Sequence, residues 1–241
     1  MKNQRRILLG LRILGASFLL SGLALAQETE GESKSALELF ASTGWVGWLM
    51  VACSVAGTAL VIEHMVSLRR EKLAPRQIAE DLEAFINEEQ YDDAVEMCDQ
   101  EGGYLSNLIG SALRMRHAGY QEMITGLEAA ANEEVFKLNT KISYLSLIGN
   151  ISPLLGLLGT VTGMIKSFQT IENLTAPTPG DLAHGVYESL VNTTMGLFLA
   201  IVFLTIYFIF KNRVSKMTLS INLQAVDMLR HLSGSERTER G

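Results

Sequence analysis

SPLLGLLGTVTGMIKSFQ, residues 152–169, carries one ionisable side chain, Lys166, and is otherwise dominated by leucine, glycine and hydroxyl residues. Gly149, Pro153, Gly156, Thr160, Gly163 and Ser167 fall at i, i+4, i+7, i+11, i+14 and i+18, so a helix gathers them on one small, hydroxyl-bearing face. Ile151, Leu154, Leu155, Leu158, Val161 and Ile165 fill much of the remaining surface, which suits lipid or neighbouring helices. At 1.5 Å per residue the apolar stretch from Ile142 to Ile165 reaches roughly 36 Å, more than the ~30 Å hydrocarbon core of a bilayer. The expected fold is therefore a membrane helix whose small face meets another helix. Small residues at such spacing serve close packing in lipid, and hydroxyls there often bond back to their own backbone. Pro153 reads as a kink that neighbouring helices tolerate.

Two further stretches have the same character, which predicts three spans, at 45–68, 142–168 and 185–210. In the last of them Ser189, Thr193, Gly196 and Ala200 repeat the small pattern, with Glu188 and Asn192 stacked beside it at i, i+4. Glu188 stands at the mouth of a span, where full insertion of a charge costs roughly 2.5–3.5 kcal/mol. It either lines a polar path or sits among headgroups. Thr160 and Thr193 add hydroxyls that can hold water or a carboxyl without bearing charge.

Hydrophobic residues make up 48% of the chain and charged ones 19%, with a mean hydropathy of +0.20. The charge is segregated into a central stretch and the ends. A net charge of −6 weighs against nucleic acid as a partner, since that calls for a basic face. Cys53 lies in an apolar run and Cys98 in the charged middle, so two free thiols are expected rather than a disulfide.

Lys2, Arg5 and Arg6 precede an apolar stretch interrupted by Arg12, and Ala24-Leu25-Ala26 offers a small-x-small cleavage pattern. Residues 1–26 are thus expected to be a signal peptide, with an uncleaved membrane helix as the alternative. Basic residues set the orientation. Arg69, Arg70, Lys72 and Arg76 follow span one, Lys137 and Lys141 precede span two, and Lys211, Arg213 and Lys216 follow span three. The segment 27–44 and the loop 169–184 are expected to face the periplasm. The middle, 69–141, and the C-terminal helix and tail, 211–241, are expected in the cytoplasm of a bacterium, with the spans in its inner membrane. Trp45 and Trp48 suit an aromatic interface belt.

The middle reads helical: Ile78, Leu82, Phe85 and Ile86 recur at helical spacing, as do Leu105, Leu108, Ile109, Ala112 and Leu113. Gly102-Gly103 and Gly119 should break it into segments, and Gln121 to Tyr144 could be one helix entering span two. No metal-ligand spacing, nucleophile elbow, phosphate loop or dinucleotide fingerprint occurs, and His64, His117, His184 and His231 are scattered. Neither enzymatic chemistry nor a cofactor is expected.

At SPLLGLLGTVTGMIKSFQ and at ESLVNTTMGLFLAI, residues 188–201, the chain resembles the MotA/TolQ/ExbB proton channel family, most of all its ExbB side. The family pattern in span two is a small residue, a break, G-L-x-G-T-V-x-G and a short F-Q. In span three Glu188, Leu190, Thr193, Gly196 and Leu197 match, while Asn192 and Thr194 replace small apolar residues. The resemblance implies an all-α membrane protein with long helical extensions into the cytoplasm that forms a ring, typically a homopentamer. Within it sits an ExbD/TolR-like single-span partner that supplies an aspartate. Thr160 and Thr193 would face that aspartate, Glu188 would line the periplasmic entry, and Asn192 would make the path more polar. The expected role is to energise outer-membrane transport through a TonB-like protein. A TolQ-like role in envelope integrity and a non-conducting scaffold are the alternatives.

Overall fold

The computed structural model describes residues 44–173 and 178–230, except for the side chains of Asp181, Leu182, His184 and Glu188. The expected signal segment and most of the segment that follows it lie outside the described residues. Every regular element described is helical: α1 (Gly44–Ser67), α2 (Arg70–Leu73), α3 (Arg76–Asn87), α4 (Tyr91–Glu101), α5 (Tyr104–Arg114), a 3-10 turn (Arg116–Ala118), α6 (Tyr120–Glu172) and α7 (Pro179–Arg230). Three of them, α1, α6 and α7, contain stretches long and apolar enough to cross a membrane. At 53 and 52 residues, α6 and α7 are each about 80 Å long, more than twice the ~30 Å of a bilayer core. Helix α6 runs unbroken into span two, as the spacing suggested.

The chain sorts into two compact units, Met50–Leu155 with Met195–Gly241, and Met1–Leu49 with Gly156–Thr194. The first is a helical bundle with a conventional apolar core. The predicted breaks hold: Gly102 and Gly103 separate α4 from α5, and Gly119 precedes α6, all three at positive φ where glycine carries no steric penalty. Leu82 and Ile86 of α3 and Leu105, Leu108, Ile109 and Leu113 of α5 are almost fully buried. Each such aliphatic side chain contributes about 1.5–3 kcal/mol by leaving water. Along α6 the buried positions include Leu127, Ala131, Leu138, Ile142 and Leu145. Along α7 they include Phe203, Phe210, Val214, Ile221 and Ala225. Steps of three, four and seven keep each set on one stripe.

Polar ties fix the bundle's register. Tyr104 donates its hydroxyl to Asn222 Oδ1 at 2.8 Å, joining α5 to α7. Burial pushes the phenol up to about 12. Cys98 is buried against Gly110, and burial, with Asp99 beside it, pushes the thiol up to about 11. Cys98 and Cys53 are both free thiols, as expected. Helix α1 joins the bundle where Gly57 receives the ring of Phe203. His64, 4% exposed, has Nδ1 2.6 Å from Leu60 O, Nε2 3.0 Å from Lys141 O and its ring centroid 5.9 Å from Phe210. A histidine without a partner in sequence thus links α1, α6 and α7. Pro153 lies inside α6, and the missing side chain of Gly149, four residues earlier, leaves room for Leu204 of α7.

Candidate functional site: the glycine seam of α6 and α7

Within the second unit, α6 and α7 meet along small residues. Gly156 lies against the backbone of Asn192 and Thr193, Gly159 against the Asn192 side chain, Gly163 against Ser189, and Ser167 against Gly185. Residue numbers climb on α6 as they fall on α7, so the helices run antiparallel. The approach is close. A methyl group at Gly156 would stand 3.0 Å from Thr193 Cα and 3.1 Å from Asn192 O, and one at Gly159 would stand 2.7 Å from Asn192 Cβ. Close backbone approach of this kind is how helices associate in lipid, where burying apolar surface yields little.

The hydroxyls of the seam are satisfied by backbone. Thr193 Oγ1 crosses it to donate to Gly156 O at 3.2 Å. Ser167 and Ser189 donate within their own helices, to Gly163 O at 2.9 Å and Gly185 O at 2.7 Å. Asn192 is 3% exposed.

The residues singled out in the sequence divide accordingly. Gly156, Gly163, Thr193 and Asn192 come together in the seam. Thr160, partly exposed like Thr193, donates its hydroxyl to Leu157 O of the same turn at 2.7 Å. Glu188 lies on α7 one turn before Asn192, and its side chain is outside the description. Gly149 and Pro153 belong to the bundle unit, as does Gly196, which is buried on α7. Gly159 and Gly185 were not singled out. Gly159 was legible, since Gly156, Gly159 and Gly163 fall at i, i+3 and i+7, which shares a helix face as well as the stripe through Thr160 does. Gly185 follows only once the antiparallel register is known.

Known proteins carry the same segment. The sequence profile of the MotA/TolQ/ExbB proton channel family matches residues 103–222. A biopolymer transport protein ExbB homolog of Methanothermobacter thermautotrophicus is 27% identical over 183 residues, 74% of this chain and 63% of that protein. Biopolymer transport protein exbB1 of Vibrio cholerae is 43% identical over 70 residues, 29% of this chain and 31% of its own. The Tol-Pal system protein TolQ of Pseudomonas aeruginosa is 36% identical over 75 residues, 31% of this chain and 32% of its own. The chain therefore spans less than two thirds of the length of each of these relatives. The profile covers α5, all of α6 and α7 through Asn222, so the seam lies wholly within it. The chain belongs to the MotA/TolQ/ExbB proton channel family.

Proposed function

We propose that this chain is the ring-forming subunit of a proton-driven motor in a bacterial inner membrane, acting on the ExbB side of its family. The mature N-terminus and the loop between α6 and α7 face the periplasm once residues 1–26 are removed. Helices α3–α5 and the polar parts of α6 and α7 form the cytoplasmic extension. Identical subunits, five in the typical arrangement, surround the spans of an ExbD/TolR-like partner that supplies an aspartate. A TonB-like protein transmits the work to outer-membrane transport.

The observation that carries this reading is the antiparallel glycine seam, with Asn192 and Thr193 buried or half-buried in it, inside the segment the family shares. The chemistry follows from the setting. A carboxyl enclosed in a low-dielectric ring holds its proton more tightly than in water, so it can load and release near neutral pH. Each elementary charge crossing the membrane yields about 2.3 kcal/mol per 100 mV, enough to bias a rotation or rocking of the inner helices. Thr160 and Thr193 offer hydroxyl oxygens that accept a hydrogen bond from that carboxyl when it is protonated, and Glu188 attracts cations at the entry. A TolQ-like role in envelope integrity is the second reading, favoured by the 36% identity to a TolQ over 75 residues.

The test is reconstitution. Co-expressed with a single-span ExbD/TolR-like partner and placed in proteoliposomes, the complex conducts protons down an imposed gradient. It ceases to do so when the partner's aspartate is replaced by asparagine. Assembly without any partner-dependent proton flux contradicts the proposal and favours a scaffold that only packs helices.

A further inference from the structure

Asn192 departs from the rule that governs the rest of the seam. Every hydroxyl there has committed its proton to a backbone carbonyl: Ser167 to Gly163, Ser189 to Gly185, Thr193 to Gly156, and Thr162 to Leu158 at 2.9 Å. Asn192 is 3% exposed, and its Oδ1 is buried with no hydrogen-bond partner among the described residues. The carboxamide rests on Gly159, where an added methyl would stand 2.9 Å from its Cγ and 3.0 Å from its Nδ2. The missing side chain of Gly159 is what admits this amide to the seam.

An amide oxygen in an apolar interior is unfavourable without a donor, and native interiors resolve such orphans with a water or an ion. Turning the amide over would put an NH2 group in the same place, equally in need of a partner. Water answers either orientation, because it both donates and accepts. A cation would need several oxygens at once, and the carbonyls of Gly156, Gly163 and Gly185 are already accepting hydroxyl protons.

We propose that Asn192 binds a water molecule inside the α6–α7 seam, making this level of the helix pair hydrated rather than dry. Its role in ion flow rests on the proposed channel function; the bound water itself does not. Beside Thr193, the water is a polar step for protons moving past the seam.

The full-length chain, labelled with 13C and 15N at asparagine, is reconstituted in phosphatidylethanolamine–phosphatidylglycerol vesicles and studied by water-edited solid-state NMR. The Asn192 Cγ signal is assigned by its loss in Asn192→Ser, with Asn192→Leu as a second assignment variant. It is expected to gain intensity from water as fast as the exposed asparagines do. A build-up as slow as that of buried aliphatic carbons overturns the proposal, and a shift on exchanging sodium for choline overturns it in favour of a bound cation. In the proton-flux assay Asn192→Leu should lose at least tenfold in an assembled complex, while Asn192→Ser keeps most of the flux. Full flux in Asn192→Leu, with wild-type flux intact, overturns the water step and leaves the channel reading standing. Absence of wild-type flux sinks the channel reading, and the NMR result still decides the water.

Discussion

Helices α6 and α7 are built in two different ways along their length. Between Tyr120 and Leu155, and again from Met195 to Arg230, their buried positions include the leucine, isoleucine, valine and phenylalanine side chains of one apolar core shared with α3–α5 and α1. Between Gly156 and Thr194 the positions that meet are glycine, serine, threonine and asparagine, and backbone touches backbone. Solvent accounts for part of the difference, since the buried Ile142, Leu145, Phe203 and Phe210 still lie within the expected spans. Where water competes, apolar burial is the driving force and large side chains supply it. Where lipid surrounds the helices, burying a leucine gains little, so small residues admit close contact and hydroxyls find carbonyls. One region is held by volume, the other by proximity.

Substitutions should break the two regions in opposite directions. The largest effect is expected in the bundle. Leu108 is fully buried on α5, and Leu108→Ala should cost about 2–5 kcal/mol in a denaturant titration of the purified protein. In the seam the damaging change is addition. Gly156→Ala should raise helix propensity by up to about 1 kcal/mol on its own. It should nonetheless destabilise by about 1–3 kcal/mol, because the new methyl meets the backbone of Thr193 and Asn192, which cannot step aside. A Gly156→Ala variant more stable than wild type would mean that the seam is looser than described.

Smaller effects sharpen the bundle side. Tyr104→Phe removes the 2.8 Å bond to Asn222 and should cost about 1 kcal/mol. Burial holds the Tyr104 proton more tightly in the folded chain, at about 12 against an ordinary 10.0. The stability it supplies is therefore complete below pH 10 and is lost as pH rises from there through about 12. An alkaline absorbance titration should show a late tyrosinate step that vanishes in Tyr104→Phe. Least disruptive of all is a probe of Cys98. Buried, with its thiol pushed up to about 11, it should resist iodoacetamide at pH 8 until denaturant opens the bundle.

Much of this architecture was legible in the chain. Three apolar stretches of spanning length announced α1, α6 and α7, and Gly102-Gly103 and Gly119 placed the breaks between α4, α5 and α6 because only glycine takes those φ values without strain. The seam was half legible. Gly156, Gly163 and Ser167 were on the expected stripe, whereas Gly159, on its edge, also meets α7, which only the partner's contour reveals. His64 was invisible as a contact. The atoms nearest its ring nitrogens are backbone carbonyls, one of them seventy-seven residues away, and carbonyls carry no sequence signature.

Thr160 gives the most direct test that the polar residues near the seam serve ion flow. Its hydroxyl donates to Leu157 O of its own turn and valine keeps its branched shape, so Thr160→Val should leave packing and assembly as they are. Gradient-driven proton flux through the assembled complex is the quantity to measure. The account predicts that Thr160→Val abolishes flux while Thr160→Ser retains it. Undiminished flux in Thr160→Val would contradict a hydroxyl-lined path at this level of α6.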